Sequence, residues 1–458
     1  MLEKDLATYV SRTKFEDLSA EAVYAAKRST LDTIAAMLAG SNALVTTTIV
    51  ELQSSLGAAG KAHLVGRPER FSPPVAALCN GVMARAMEID DCVDFLPVHP
   101  SASAVPVLLT LSEIEKNLSG REFLTALAVG QDVIIRMGLT VRENAMESGR
   151  NNLFKIFGPT AAVARALNLD SQQTHHALGI AYSCAVGDGQ CVLDPDAMTL
   201  SLQQGVVAKG ALLSGMLAQR GFTGAREFLL GRAGYLVAYE PNHKLAFLTE
   251  GLGHEFYGEQ ITIKPFSSCR ATHPAIDLAM QLSAAHRIDP GDINRITLRA
   301  NPEVCNLVAV PHESKIRPTS MFDAQFSVQF TVAAALIRKD MFLNELAPAV
   351  LSNTHILDLA SRVRVLSDES LRTDGVLGRT KMQIDVVDGN HITGEIAFPL
   401  GNPKRPMTFS DCSEKLKKCA AHALLPLGRK SLETLIDRID EMEDMEDVST
   451  LFDSLCGE

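Results

Sequence analysis

The sequence predicts a mainly α-helical chain with an α+β part, arranged as a large helical bundle domain plus a smaller α+β lid domain. Three observations lead there. Ala and Leu dominate the composition while aromatic residues are only 5% and Trp is absent, which favours close-packed helices over a large sheet. From the N-terminus to about residue 255, one helical pattern follows another across short links. After Gly258 the pattern changes to short β-type runs with helices between them.

In the helical part, Ser19 precedes a run in which Val23, Ala26, Leu31, Ile34 and Leu38 recur at helical spacing up to Gly40. Further helices are expected over 45–58, from Pro73 to Met87, over 104–116, and over 121–138 behind the capping box Ser119-Gly-Arg-Glu122. A helix pair follows at 157–168 and 172–182. A Gly/Asp-containing loop from Gly187 to Met198 leads to a helix over 201–220 that stops at Gly221. Strands are expected at Gln260–Ile263, Arg295–Ala300, Val363–Leu366, Lys381–Val387 and His391–Phe398, the last two joined by the turn Asp388-Gly-Asn390. Helices over 274–286, 323–338 and 354–361 lie among them. From Ser410 the chain is helical again. The expected boundaries are therefore a helical domain over 1–259, completed by 399–458, and an α+β lid over 260–398, with a ligand site in the cleft between them.

At 458 residues, two domains are the natural expectation, and 46% apolar with 21% charged residues marks a globular chain. A net charge of −11 without a large basic patch argues against nucleic-acid binding. The same field repels an acidic substrate, so a site for one has to be locally basic. Nine scattered Cys, an odd number with no C-x-x-C pair, form neither a disulfide framework nor a zinc pattern. The first residues lack the charged and apolar regions of a secretory signal, and no run of about eighteen apolar residues is evident. A cytoplasmic protein that does not engage a membrane is expected.

Two stretches carry candidate chemistry. The ten residues Lys264-Pro-Phe-Ser-Ser-Cys-Arg-Ala-Thr-His273 hold one Lys, one Arg, one His, two Ser and one Cys, followed by Pro274 and an apolar helical pattern. A helix N-terminus offers free backbone N–H groups to an anion, and Lys264 and Arg270 beside it suit a carboxylate. The alternative is a surface turn with ordinary basic residues. The second stretch, residues 88–101, holds Glu88, Asp90, Asp91, Asp94 and His99. Carboxylates beside a His suit general acid–base work, because they set the imidazole tautomer and raise its basicity. They suit a divalent metal or the capping of the next helix as well, although the spacing matches no EF-hand loop. Gly187-Asp-Gly-Gln-Cys191 allows close backbone approach to a ligand but serves a tight turn equally well.

The order of these motifs resembles the MmgE/PrpD family. They are Ala86-Met-Glu-Ile-Asp-Asp91 with His99-Pro-Ser101, Phe157-Gly-Pro159, Lys264-Pro-Phe with Cys269-Arg and Thr272-His-Pro274, and Asp323-Ala-Gln-Phe-Ser327. The resemblance implies a helical domain with a smaller lid, a homodimer, no metal or organic cofactor, and a small di- or tricarboxylate substrate. It implies that Glu88, Asp91 and His99 lie on the family's acidic loop and its His, and Lys264 on its lid Lys. Some positions depart from it. Asn152 stands where the family's lyases have a His, Leu200 and Gln203 stand where they have Lys-x-x-His, and Cys269 replaces the lid His of the decarboxylases.

Expelling hydroxide or CO2 needs a proton donor or an electron sink, and those departures remove several. The expectation is therefore an epimerase of a small amino-dicarboxylate such as iminodisuccinate. Lys264 or His99 is the base on one face, and the other of the two, or His273, is the donor on the second. Arg270 and Ser268 hold carboxylate, with Glu88 and Cys269 lining the substrate, and the groups of Lys264 and His99 are expected to face each other over it. The alternatives are a dehydratase or decarboxylase of a 2-methylcitrate- or cis-aconitate-like acid, and a non-catalytic small-acid-binding protein.

Overall fold

Caps and apolar spacing build the helical part where the sequence places it. The computed structural model describes residues 2–115, 117–141, 153–194, 197–372, 377 and 379–455. The longer helices are α1 (Leu2–Arg12), α2 (Ala20–Gly40), α3 (Leu44–Ser55), α4 (Pro73–Arg85), α5 (Ser101–Ser112), α6 (Gly120–Thr140), α7 (Phe157–Ala166), α8 (Ser171–Tyr182) and α9 (Thr199–Gln219). Ser19 caps α2 by accepting from Ala22 N, and the Ser119/Glu122 capping box opens α6. Between α3 and α4 lies a small antiparallel ribbon, β1 (Ala59–His63) with β2 (Arg70–Phe71), that the sequence does not signal. Ala-Gly-Lys-Ala-His has no alternating pattern, so only its partner makes it a strand.

Two helix crossings are closed by paired glycines. A Cβ on Gly81 of α4 would lie 2.9 Å from Gly205 Cα of α9, and one on Gly205 would lie 2.3 Å from Leu78 O. Gly130 of α6 and Gly158 of α7 face each other in the same way, with Cβ-to-carbonyl approaches of 3.0 and 2.8 Å. These backbones touch because no side chain intervenes. α6 is long and apolar enough to cross a membrane, contrary to the reading of the sequence, but it is buried on all sides within the helical unit. Its centre holds a fully buried pair, Arg136 and Asp132, with Arg136 Nε 2.6 Å from Asp132 Oδ2. Tyr9 Oη and Tyr257 N donate to Asp132, and Arg136 donates to the carbonyls of Phe247, Glu250 and Glu255.

The chain divides into two compact units, Met1–Ile261 with Thr408–Glu458, and Thr262–Met407. In the second, α10 (His273–His286), β3 (Ile293–Ala300), α11 (Val328–Arg338), α12 (Thr354–Ser361), β4 (Val363–Ser367), β5 (Thr380–Val386) and β6 (His391–Ile396) are the main elements. The sheet order is β4-β3-β5-β6, with β3 parallel to β4 and the other pairs antiparallel. Alternation buries Ile296, Leu298 and Ala300 on one side of β3 with Met382 and Ile384 of β5. Gly389, at φ 89°, makes the turn from β5 to β6.

Two expectations fail here. Gln260–Ile263 is not a strand of this sheet: a 3-10 turn at Tyr257–Gln260 runs into an extended segment fastened by Ile263 N to Gly401 O at 3.3 Å. The helix expected over 323–338 is broken, because Ser327 caps a new helix by accepting from Phe330 N at 3.0 Å. After this unit come α13 (Phe409–Ala420) and α14 (Arg429–Asp440), which belong to the helical unit.

Candidate functional site

The acidic loop leaves α4 with Arg85 and enters α5 at Ser101. Glu88 sits at φ 54°, a left-handed conformation that costs a non-glycine residue about 1–2 kcal/mol. Its carboxylate pairs with Arg85, and Arg85 NH1 also lies 3.3 Å from Asp90 Oδ1; all three side chains are buried. Lys415 of α13, itself buried, donates to Ile89 O at 2.5 Å and to Asp32 Oδ1 at 2.6 Å. α13 thus grips the loop between Glu88 and Asp90.

His99 is half-buried. Its Nδ1 lies 2.9 Å from Asp90 Oδ2 and 2.8 Å from Asp91 O. Both neighbours are acceptors, so Nδ1 carries the proton and Nε2 is the basic nitrogen of the neutral ring. The hydrogen bond that sets this tautomer goes to the Asp91 carbonyl, with the buried Asp90 carboxylate in close contact beside it. Asp91, expected among the catalytic groups, instead caps α5: its Oδ1 accepts from Ser101 N at 3.1 Å and its Oδ2 from Ser101 Oγ. Burial pushes the Asp91 carboxyl up to about 7, with the Ser101 hydrogen bonds opposing it and the Asp32 charge adding to it. Ser101 Oγ in turn accepts from Gln131 Nε2 at 2.8 Å. Gln204 Nε2 reaches His99 O at 3.4 Å.

A neighbouring group in the same unit went unnoticed in the sequence. Lys155, in the turn before α7, is 8% exposed, and its ammonium donates to Gln203 Oε1 at 3.1 Å. Gln203 Nε2 donates onward to Asp188 Oδ2 at 2.7 Å and lies 3.3 Å from Cys191 Sγ. Burial, and next the Arg85 guanidinium, bring the Lys155 ammonium down to about 8. Its sequence setting, Leu-Phe-Lys-Ile-Phe, is that of a core segment with one solvated Lys, so nothing local marked it. The Gly187–Cys191 stretch runs irregularly into a single helical turn, Gln190–Leu193, with Asp188 Oδ1 accepting from Cys191 N at 2.9 Å. Asn152 lies outside the described residues.

The basic segment belongs to the second unit. Lys264 is 1% exposed. It follows Ile263, whose carbonyl lies so close to Gly401, at φ 90°, that a Cβ there would come within 1.9 Å. Ser268 is buried, its hydroxyl 2.7 Å from Thr272 Oγ1, which donates to Cys269 O at 2.8 Å. Cys269 N donates to Gln325 O at 2.9 Å, placing the Asp323-Ala-Gln segment against this turn, and Cys269 is half-buried.

His273 does not suit the proton donor expected of it. Its Nε2 donates to Ser268 O at 3.1 Å and its Nδ1 lies 3.3 Å from Arg270 NH1, so both ring nitrogens are spent on the segment itself. Arg270 NH1 donates to Leu400 O at 2.9 Å, so part of the guanidinium expected to clamp substrate is built into the fold. α10 opens at His273, as expected, behind a 3-10 turn at Arg270–Thr272; Thr272 turns its hydroxyl back to the turn and leaves the helix N-terminus without a side-chain cap.

Among the described residues no group of three or more His, Cys, Asp or Glu is placed to hold a metal ion. Within the first unit the arrangement supplies a carboxylate-oriented imidazole, a buried ammonium and a guanidinium neutralised by two carboxylates. Within the second it supplies a buried Lys264 beside a turn of exact internal bonding. Such sets can hold an anion and carry a proton.

Comparison with known proteins places these sets in a family. The MmgE/PrpD N-terminal domain profile matches residues 4–248, and the MmgE/PrpD C-terminal domain profile matches residues 266–441. A cis-aconitate decarboxylase-like protein, oryM, of Aspergillus oryzae is 25% identical over 99% of this chain and 97% of its own length. A cis-aconitate decarboxylase of Aspergillus terreus is 25% identical over 94% of this chain and 92% of its own.

Proposed function

Since this chain belongs to the MmgE/PrpD family, we propose that it is a lyase acting on a small unsaturated or hydroxylated di- or tricarboxylic acid, by decarboxylation or dehydration. The observation that carries this is His99, an imidazole held in a fixed tautomer by the Asp91 carbonyl with the buried Asp90 carboxylate 2.9 Å from the same nitrogen. The relatives named above support a lyase, and nothing in the comparisons supports epimerisation of iminodisuccinate. The epimerase expectation rested on the loss of His and Lys at 152, 200 and 203. It counted residues at fixed positions in sequence, and so overlooked that Lys155 brings an ammonium to Gln203.

In either lyase reaction a proton changes place at a carbon next to a carboxylate. In decarboxylation the bond to the departing carboxylate breaks, CO2 leaves with its two oxygens, and the electron pair left on carbon takes a proton. In dehydration a base removes the carbon-bound proton, and hydroxide departs with a second one as water. His99 is assigned as the proton carrier, with Asp90 stabilising the imidazolium. Lys264 is assigned, from its residue chemistry, as a carboxylate-binding cation, with Arg270, Ser268, Glu88 and Cys269 as residues that bind or shape an acid, and Asp91 and His273 as positioning residues.

The test is to incubate the purified chain with cis-aconitate and with 2-methylcitrate, and to follow the products by proton NMR. Loss of CO2 or of water is expected, and H99N or D90N is expected to lower the rate a hundredfold or more with the fold intact. Turnover of neither acid, together with solvent deuterium entering iminodisuccinate without bond cleavage, would return the assignment to an epimerase.

A further inference from the structure

We propose that Lys155 is an anion receptor, whose ammonium takes up a substrate carboxylate beside Gln203. The inference rests on the lyase reading above and names one residue that would bind its acid. It starts from the charges around α4 and α9. Arg85, the nearer guanidinium, is neutralised by Glu88 and Asp90. Lys155 is as buried, yet among the described residues no carboxylate stands within ion-pair distance of it, and its one hydrogen-bond partner is the neutral amide oxygen of Gln203. Asp188, itself exposed, accepts from that amide and attracts the ammonium from beyond it.

Keeping an ammonium out of water without a counter-charge is unfavourable, and a structural role does not require it, since Met or Gln would fill the space. An ammonium has three donors and here spends one within the described residues, leaving two for oxygen atoms of a ligand. Gln203 is fixed by Asp188 and Cys191, so its amide holds the ammonium in place. The groups facing Lys155 are Arg85 from α4, Asp188 and Cys191 from the turn before α9, and Gln203 from α9. In the window around pH 8 Arg85 does not titrate, and the Cys191 thiol is pushed up by burial, so Lys155 is the group whose charge changes there.

The probe is tricarballylate, a saturated tricarboxylate with nothing to expel, titrated calorimetrically into the full chain. Its Kd is expected to weaken about tenfold from pH 7 to pH 9, as an ammonium titrating near 8 loses its charge. K155Q keeps a donor for Gln203 and no charge. It is expected to bind at least about tenfold more weakly at pH 7 and to lose the pH limb. K155R is expected to stay within about threefold of the wild type and to show no weakening up to pH 9.

Undiminished affinity with an unchanged pH profile in K155Q overturns the inference, and continued turnover of cis-aconitate or 2-methylcitrate then leaves the lyase reading standing. A wild-type profile flat from pH 7 to 9 overturns it as well, without need of any variant. A wild type that neither binds tricarballylate nor turns over any di- or tricarboxylate removes both. Far-UV circular dichroism on K155Q and K155R separates lost binding from lost fold.

Discussion

At the scale of single residues, the acidic loop shows how two adjacent carboxylates take different work. Asp90 sets its charge beside His99, while Asp91 caps α5 with its carboxylate and accepts the His99 hydrogen bond on its carbonyl. The loop was legible in sequence as a cluster of acids before a His. Which acid served which purpose was not, because neighbouring side chains leave the backbone in different directions and only the fold says what each meets. Asp91 carries a consequence for stability. Its native carboxyl, at about 7, keeps a proton that the unfolded chain releases near 3.8. The unfolded state therefore binds fewer protons between those values, and this contribution to stability falls as pH rises from about 4 to about 7. In D91N an amide oxygen still accepts from Ser101 N, but nothing titrates. Urea midpoints at pH 5 and pH 8 should differ less in D91N than in the wild type; an equal difference would assign the pH dependence elsewhere.

Among the elements, glycine pairs decide how closely the site-bearing helices approach. α4 ends in Arg85 and α9 carries Gln203, and they cross at Gly81 and Gly205. Gly205→Val would press its Cβ into Leu78 O, a backbone atom that cannot rotate away, and should cost at least about 2 kcal/mol in unfolding free energy. The same change should lower turnover beyond the loss of folded protein, because Arg85 and Gln203 move apart. A pulse of activity per folded molecule, read beside the denaturation curve, checks both. The helices themselves were readable from apolar spacing and caps, as at Ser19 and Ser119. The β1–β2 ribbon and the break at Ser327 were not, since a two-residue strand needs its partner and a serine announces a cap only once its hydroxyl finds a backbone N–H.

Across the whole molecule, the helical unit is assembled from both ends of the chain. Lys415 is the clearest join, reaching Asp32 on α2 and Ile89 in the acidic loop across more than three hundred residues of sequence. Lys415→Met would remove the cation paired with the buried Asp32 and release Ile89 O. A loss of about 3–5 kcal/mol is expected, partly recovered in the K415M/D32N pair, and measurable by chemical denaturation. In the second unit, Asp277 receives Leu400 N and pairs with Arg405, so the segment after β6 folds back on α10 in the same manner. Helical periodicity, the change of pattern near residue 260, the acidic loop and the Lys264–His273 segment were all determined by the sequence alone, because each is a local arrangement of side chains along a few turns. The partner of His99, the capture of His273 and Arg270 by their own segment, the ammonium of Lys155 beside Gln203 and the grip of Lys415 on the loop were decided only in three dimensions. Each depends on burial and on groups far apart in the chain, and neither burial nor a distant partner is written in local spacing.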